Sequence, residues 1–107
     1  MVECISKTDF IFDALAHGVR RDIIRRVAKC ELSISELAEP YAMSFAAVAK
    51  HIDKLSLAGL VKKRREGKQY LISLEPRALR VAQKELATYT KMWDARFNAL
   101  DELLTNT

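Results

Sequence analysis

Apolar side chains recur at the helical period through the first third of the chain. They predict a first helix over residues 8–16, which Thr8 begins as N-cap and Gly18 ends, and a second helix over residues 19–30. The apolar side of these two helices consists of Phe10, Ile11, Ala14, Leu15, Ile23, Ile24 and Val27. The cations of the second helix are expected to face solvent, and they are Arg20, Arg21, Arg25 and Arg26.

Two more helices follow, separated by a turn. Ser33 is expected to begin the third helix, because Glu36 lies three residues later and can accept a hydrogen bond from the Ser33 backbone N–H in a capping box. Pro40 lies in the turn and prevents the third helix from continuing into the fourth. Ser44 caps the fourth helix, which ends at Gly59. Val48, Ile52 and Leu55 are its core-facing residues.

A β-hairpin comes next. Strand-forming residues over 60–65 and 68–74 flank Gly67, which can supply the positive φ of a tight turn. The side chains expected to anchor this hairpin on the core are Val61, Tyr70 and Ile72. The fold class is therefore α+β and mainly α: a helix-turn-helix followed by a two-stranded β-wing, with helices at both ends.

The last helix is predicted from Pro76 to about residue 104. Apolar residues recur at every seventh position, at Leu79, Leu86, Trp93 and Leu100. Little of the chain is left to cover this face, so we favour its packing against a second copy, together with the first helix, over packing against helices one and two of the same chain. The residues expected at the dimer contact are Phe10, Leu86, Tyr89, Trp93, Phe97 and Leu100.

Length and composition limit the function classes. A chain of 107 residues forms a single domain, here with dimerisation helices at about 8–16 and 76–104. The N-terminus lacks a signal-peptide pattern, no apolar run is long enough to span a bilayer, and two cysteines make no disulfide framework, so we expect a cytoplasmic location without membrane contact. No phosphate loop or nucleophile motif is present, so neither an enzyme nor a cofactor is predicted.

Charge points to a nucleic-acid partner. Between residues 44 and 70 seven cations stand against two carboxylates, a surplus of five, whereas the whole chain carries only +4. Such a concentration on one helix and one hairpin is typical of a reader of double-stranded DNA, with the helix in the major groove and the wing on the backbone or in the minor groove. The candidate DNA-binding residues are Ser44, Phe45, Ala47, Lys50, His51, Lys54, Lys62, Arg64, Arg65 and Lys68.

Three other interpretations of the same charges stay open. They could be ordinary solvated side chains, or the domain could be a protein-interaction module or an architectural protein that binds DNA without sequence preference. The composition KKRREGK favours phosphate binding, because a protein-binding wing is expected to carry apolar anchors.

The segment ELSISELAEPYAMSFAAVAKHIDKLSLAGLV closely resembles the winged-helix core of the ArsR/SmtB transcriptional repressors, and ALAHGVRRDII resembles the junction of that family's first two helices. The resemblance implies a homodimeric repressor, paired through its first and last helices, that releases an inverted-repeat operator when its signal arrives. The sequence departs from the family pattern at Phe45 and Ala49, where a polar residue is more usual. The operator sequence therefore does not carry over.

The inducer is not identified by the resemblance. Metal-sensing members often carry ELCVCDL, whereas this chain has Ser33 and Ser35 in place of both cysteines and no histidine after Pro76. His17 and His51 lie at a helix junction and on the recognition helix, positions poorly suited to share a metal. The chain is therefore similar to the metal-independent branch of the family.

The two cysteines offer another candidate switch. Cys30 lies beside Lys29, a cation able to favour the thiolate, so oxidation of Cys4 and Cys30 could alter DNA affinity. A packed, structural Cys30 is the favoured alternative.

Overall fold

The computed structural model describes residues 6–105, and within them the chain forms five helices and three strands. In chain order these are α1 (Lys7–Leu15), α2 (Gly18–Val27), β1 (Leu32–Ser33), α3 (Ile34–Ala38), α4 (Phe45–Leu57), β2 (Val61–Glu66), β3 (Gln69–Leu74) and α5 (Pro76–Thr105). The mainly helical α+β class with a wing is confirmed.

The helix starts are set by side chains that accept backbone hydrogen bonds. Ser33 and Glu36 form the predicted capping box of α3, with N–H···O distances of 2.9 and 3.1 Å. The predicted cap of α1 at Thr8 is wrong, because Ser6 caps this helix in a second capping box with Asp9. A carboxylate three residues after Ser6 makes that reciprocal pair possible, whereas Thr8 has Ile11 at the same spacing.

The junction between α1 and α2 differs from the prediction. Gly18 does not end α1; it is the first residue of α2, and His17 in extended conformation is the N-cap. The His17 Nδ1 atom accepts the Val19 backbone N–H at 3.3 Å. At its other end α2 stops at Val27 rather than Cys30, so Cys30 lies in the loop before β1 and is exposed.

The predicted wing is present, and the sheet has one strand more than the sequence indicated. β2 and β3 form an antiparallel hairpin in which Glu66 pairs with Gln69 across Gly67, whose φ is 63°. β1 adds to the other edge of β3, with Leu32 opposite Ile72. A strand of two residues has no readable alternation, which is why the sequence pattern did not predict it.

The core lies where α1 to α4, the root of the wing and the first turns of α5 meet. Ile11, Ile23, Leu37 and Ile72 are among its buried residues. The three predicted core residues of α4 are confirmed as fully buried, and so are Val61 and Ile72 at the wing. Tyr70 is not an anchor: 42% of it is exposed.

Three of the four arginines of α2 do not simply face solvent. Arg20 donates from Nε to the Ala14 carbonyl at 2.8 Å, and Arg21 donates to the Leu15 carbonyl at 2.8 Å. Arg26 donates to the carbonyls of Leu37 and Glu36 at 2.8 and 2.9 Å. These guanidinium groups satisfy backbone carbonyls that α1 and α3 leave free at their C-terminal ends.

α5 gives the molecule its elongated shape. Only Ala78 and Ala82 of this 30-residue helix are buried, and both lie in its first two turns. The radius of gyration is 18.8 Å, whereas a compact domain of this length has a value of about 13 Å. The rest of α5 therefore extends away from the core.

Candidate nucleic-acid interface

The recognition helix α4 is held on the core by one side and exposed on the other. Val48, Ile52 and Leu55 are fully buried, and the Ser44 hydroxyl accepts the Ala47 backbone N–H at 3.1 Å. The Ser44 side chain thus serves as the N-cap and fixes the first turn. The opposite side of α4 is consequently available to a partner.

The predicted DNA-binding residues of α4 differ in accessibility. Lys50 and Lys54 are exposed, and neither forms an ion pair within residues 6–105. Phe45 is 55% exposed at the N-terminal end, where an apolar side chain can meet a thymine methyl group. Ala47 and His51 are half-buried, so they lie at the border between this surface and α2.

The border is occupied by a pair of histidines. The imidazole of His51 lies against that of His17, with ring centroids 4.5 Å apart and ring planes inclined by 48°. Sequence spacing gave no sign of this contact, because it joins the α2 N-cap to the middle of α4. Burial, followed by the charges of His17 and Arg20, lowers the pKa of His51 below its usual value of 6.5.

The wing cations divide into two groups, and the first is engaged by carboxylates. Lys62 pairs with Glu75 at 3.0 Å, and Arg64 pairs with Glu31 at 2.7 Å and with Glu66 at 2.9 Å. These contacts raise the pKa of Arg64 and lower that of Glu75. Lys62 and Arg64, both predicted DNA contacts, therefore have protein partners already.

Lys63 connects the wing to the recognition helix. Its ammonium group pairs with the Asp53 carboxylate on α4. The sequence interpretation counted Lys63 among the wing cations expected on phosphates and assigned no role to Asp53. Because the pair spans two elements, it fixes the wing beside the surface that carries Lys50 and Lys54.

The second group of wing cations lies at the hairpin tip. The Arg65 guanidinium stands 5.7 Å from the centroid of the Tyr70 ring and donates to the Gly67 carbonyl at 3.2 Å. Lys68 has no carboxylate partner within the part of the chain that the structure describes. These two charges are the wing's most available ones for phosphate.

Serine residues stand at the positions where metal-sensing members of the resembled family carry cysteine ligands. Ser33 is buried as the cap of α3, and Ser35 is exposed. Across residues 6–105 no group of three or more histidine, cysteine or acidic side chains could hold a metal ion. The packed alternative for Cys30 is wrong, since Cys30 is exposed, and Cys4 lies outside the described residues.

The predicted dimerisation residues all lie on the surface of the single chain. They are Phe10, Leu86, Tyr89, Trp93, Phe97 and Leu100, each with between 47% and 65% of its area exposed. The start of α5 packs on α1 within the chain, whereas the large apolar side chains of its later turns are exposed in the described chain. None of the helices within residues 6–105 is long and apolar enough to cross a membrane.

Comparison with known proteins establishes the family. A helix-turn-helix domain family matches residues 15–64. The HTH-type transcriptional regulator Rv2034 of Mycobacterium tuberculosis is 36% identical over 78 residues, which are 73% of each chain. The solved structure of the ArsR family transcriptional regulator RHA00566 superimposes with a TM-score of 0.79 at 27% identity, covering 83% of this chain and 98% of that one. This chain belongs to the ArsR family.

A third comparison concerns the fold of this ArsR-family regulator alone. The homodimeric winged helix-turn-helix DNA-binding domain of Mb0332 from Mycobacterium bovis is 22% identical, with a TM-score of 0.64 over 79% of this chain and 80% of that one. The relatives are transcriptional regulators that bind DNA, and the predicted family and general function are confirmed. The contacts of individual residues with DNA stay predictions.

Proposed function

We propose that this ArsR-family regulator is a homodimeric repressor that acts in the cytoplasm on an inverted-repeat operator. The recognition helix α4 enters the major groove, and the wing lies on the flanking backbone or in the minor groove. One observation carries the proposal: the Lys63–Asp53 ion pair holds the wing beside the exposed, cationic side of α4. Both basic elements can then contact one DNA segment at once.

The roles of the ten candidate residues follow from their accessibility. Lys50, Lys54, Arg65 and Lys68 lack carboxylate partners in the described chain and are proposed as phosphate or base contacts. Phe45, Ala47 and His51 border the groove, and Ser44 presents the first turn of α4. Lys62 and Arg64 contribute mainly by holding the wing in place.

Dimerisation is proposed through α1 and the projecting part of α5. The support is the line of exposed apolar residues from Leu86 to Leu100, continued by Phe10 on α1. A soluble chain rarely leaves so long an apolar stripe uncovered. The two-fold symmetry of such a dimer would require two inverted half-sites.

The decisive experiment is selection of bound fragments from a genomic library, followed by footprinting. We expect two inverted half-sites with centres separated by about 10 base pairs or a multiple of it. Protection without sequence preference would favour an architectural protein instead. No binding to any DNA fragment would favour a protein-interaction module.

The proposed recognition by α4 has its own test. His51→Ala should reduce the ratio of operator affinity to random-DNA affinity and leave the fold intact, because His51 is half-buried at the border of α4. Lys84→Ala on α5 is the control, since Lys84 is exposed and lies far along the chain from α4. An equal loss on both DNAs would make His51 a backbone contact.

A further inference from the structure

The contact between His17 and His51 joins the start of α2 to the recognition helix. We propose that His17 is a positioning residue for DNA recognition: its imidazole orients that of His51, and its protonation releases the pair and weakens operator discrimination. The inference rests on the proposed function, since it concerns what the recognition helix does with DNA. Nothing in the sequence spacing connects these two residues.

The hydrogen bond of His17 fixes its tautomer. Nδ1 accepts the Val19 backbone N–H at 3.3 Å, so the proton of the neutral ring is on Nε2. This bond caps α2 and orients the ring, which then lies 4.5 Å from the His51 ring, centroid to centroid. The rotamer of His51 is thereby limited on its α2 side.

Protonation of His17 would remove both restraints. A proton on Nδ1 turns the acceptor into a donor facing the Val19 N–H, so the cap is lost. The resulting imidazolium also brings a positive charge against His51, in a site where Arg20 already supplies one. The ring pair is then electrostatically unfavourable, and His51 loses its fixed position.

The surrounding charges do not offset this repulsion. Arg20 of α2 and Lys50 and Lys54 of α4 line the same depression as His51, and all are cations. The carboxylate of Asp53 also lines this depression, but it is paired with Lys63 of β2. α1 contributes backbone carbonyls, from Asp13 and Ala14, which accept from Arg20. The site therefore favours the neutral imidazole of His51.

A shared metal is a poorer explanation of the pair. The Nδ1 lone pair of His17 is used by the Val19 N–H, and Nε2 carries the remaining proton. No third protein ligand stands with these two rings anywhere in residues 6–105. The geometry accounts for a contact between neutral rings.

Two variants separate the ring of His17 from its cap. His17→Ser keeps a side chain that can cap α2 and removes the ring, whereas His17→Phe keeps a ring against His51 and removes the cap and the titration. The first measurement is the ratio of operator to random-duplex affinity between about pH 8 and 5, the range in which histidine titrates. The operator is the one selected by footprinting.

We expect the wild-type ratio to fall on acidification. His17→Ser should lower the ratio at neutral pH by about tenfold, the order expected for one well-placed base contact. His17→Phe should lower the neutral ratio less than His17→Ser, because it keeps a ring against His51, and its ratio should depend less on pH than that of the wild type. Ratios that are the same for all three proteins at every pH would overturn the positioning role.

A second measurement needs no DNA. The titration midpoint of His51, followed by NMR of its ring, should be lowest in the wild type and highest in His17→Ser, because that variant removes both the charge and the burial. Identical His51 midpoints in the three proteins would refute the contact between the His17 and His51 rings. The midpoints could follow the expected order while the wild type binds operator and random duplex equally. That result would contradict the proposed function and the positioning role, and the histidine pair would then be a purely structural contact.

Discussion

At the scale of single residues, the fold is stabilised by side chains that donate hydrogen bonds to backbone carbonyls of a neighbouring element. Arg26 satisfies two carbonyls at the end of α3 and lies 5.8 Å from the centroid of the Tyr41 ring, while Tyr41 donates its hydroxyl hydrogen bond to Asp22. Burial and then this bond raise the pKa of Tyr41. Arg26 thus connects α2, α3 and the turn that follows.

Arg26→Ala should lower the free energy of unfolding by about 2 kcal/mol, because two helix carbonyls lose a charged donor. Arg25→Ala is the matched control: Arg25 is exposed, and its contact with Asp22 is long at 3.9 Å. That control should change the value by no more than about 0.5 kcal/mol. Urea denaturation followed by circular dichroism measures both, and equal effects would remove Arg26 from this role.

His51 should make stability depend on pH. Its pKa is lowered in the folded protein, so the unfolded chain binds the proton more readily. Stability is therefore full above the ordinary value of 6.5 and falls as the pH decreases through the lowered folded value. His51→Gln should flatten the unfolding free energy over this window. Parallel curves for the variant and the wild type would contradict the effect.

At the scale of elements, local patterns were predictable and contacts between elements were not. The capping box at Ser33, the N-cap of α4 at Ser44 and the positive-φ Gly59 that follows the α4 C-cap Ala58 are set by residues close in sequence, and all three are confirmed. The Lys63–Asp53 and His17–His51 contacts join distant segments, so no spacing rule could indicate them. The residues of the candidate DNA-binding surface were thus predictable, whereas the ion pair and the ring contact within it were not.

The two groups of wing cations should differ in how much they contribute to the salt dependence of DNA binding. Replacing Arg65 and Lys68 together by alanine should weaken binding to every DNA and reduce the slope of log affinity against log salt by about 2, close to one per lost phosphate contact. The Lys62→Ala, Arg64→Ala double variant should change the slope less, because carboxylates engage those cations.

A charge-matched control for the wing is available on α5. Lys84→Ala with Lys91→Ala removes the same two charges from exposed positions outside the proposed interface. Fluorescence anisotropy at several salt concentrations gives each slope. If the α5 control shifts the slope as much as the Arg65, Lys68 variant, the wing tip does not contact phosphates.

At the scale of the whole molecule, the single chain is elongated, with extents of 69 × 38 × 24 Å. Trp93 is 65% exposed in the projecting part of α5, so it adds little to the core of one copy. Trp93→Ala should therefore leave the fold intact and weaken the proposed dimer by about 3 kcal/mol, the usual cost of truncating a buried aromatic side chain.

Sedimentation equilibrium tests this placement of the dimer contact. Lys91→Ala is the control, because Lys91 lies roughly 160° around the helix from Trp93 at 3.6 residues per turn. We expect the control to associate like the wild type. A Trp93→Ala dimer of undiminished affinity would place the contact elsewhere.

The projecting half of α5 divides the chain into two regions of different local stability. Residues up to Ala82 pack on the core, whereas the side chains of the later turns, up to Thr105, are exposed or at most half-buried. An isolated helix of this kind is marginal in water, so in a lone copy its amides should exchange with solvent deuterium far sooner than those of α4. Pairing of two copies would then also order the helix. Because separation of the subunits would let the helix fray again, its free-energy cost would slow subunit exchange.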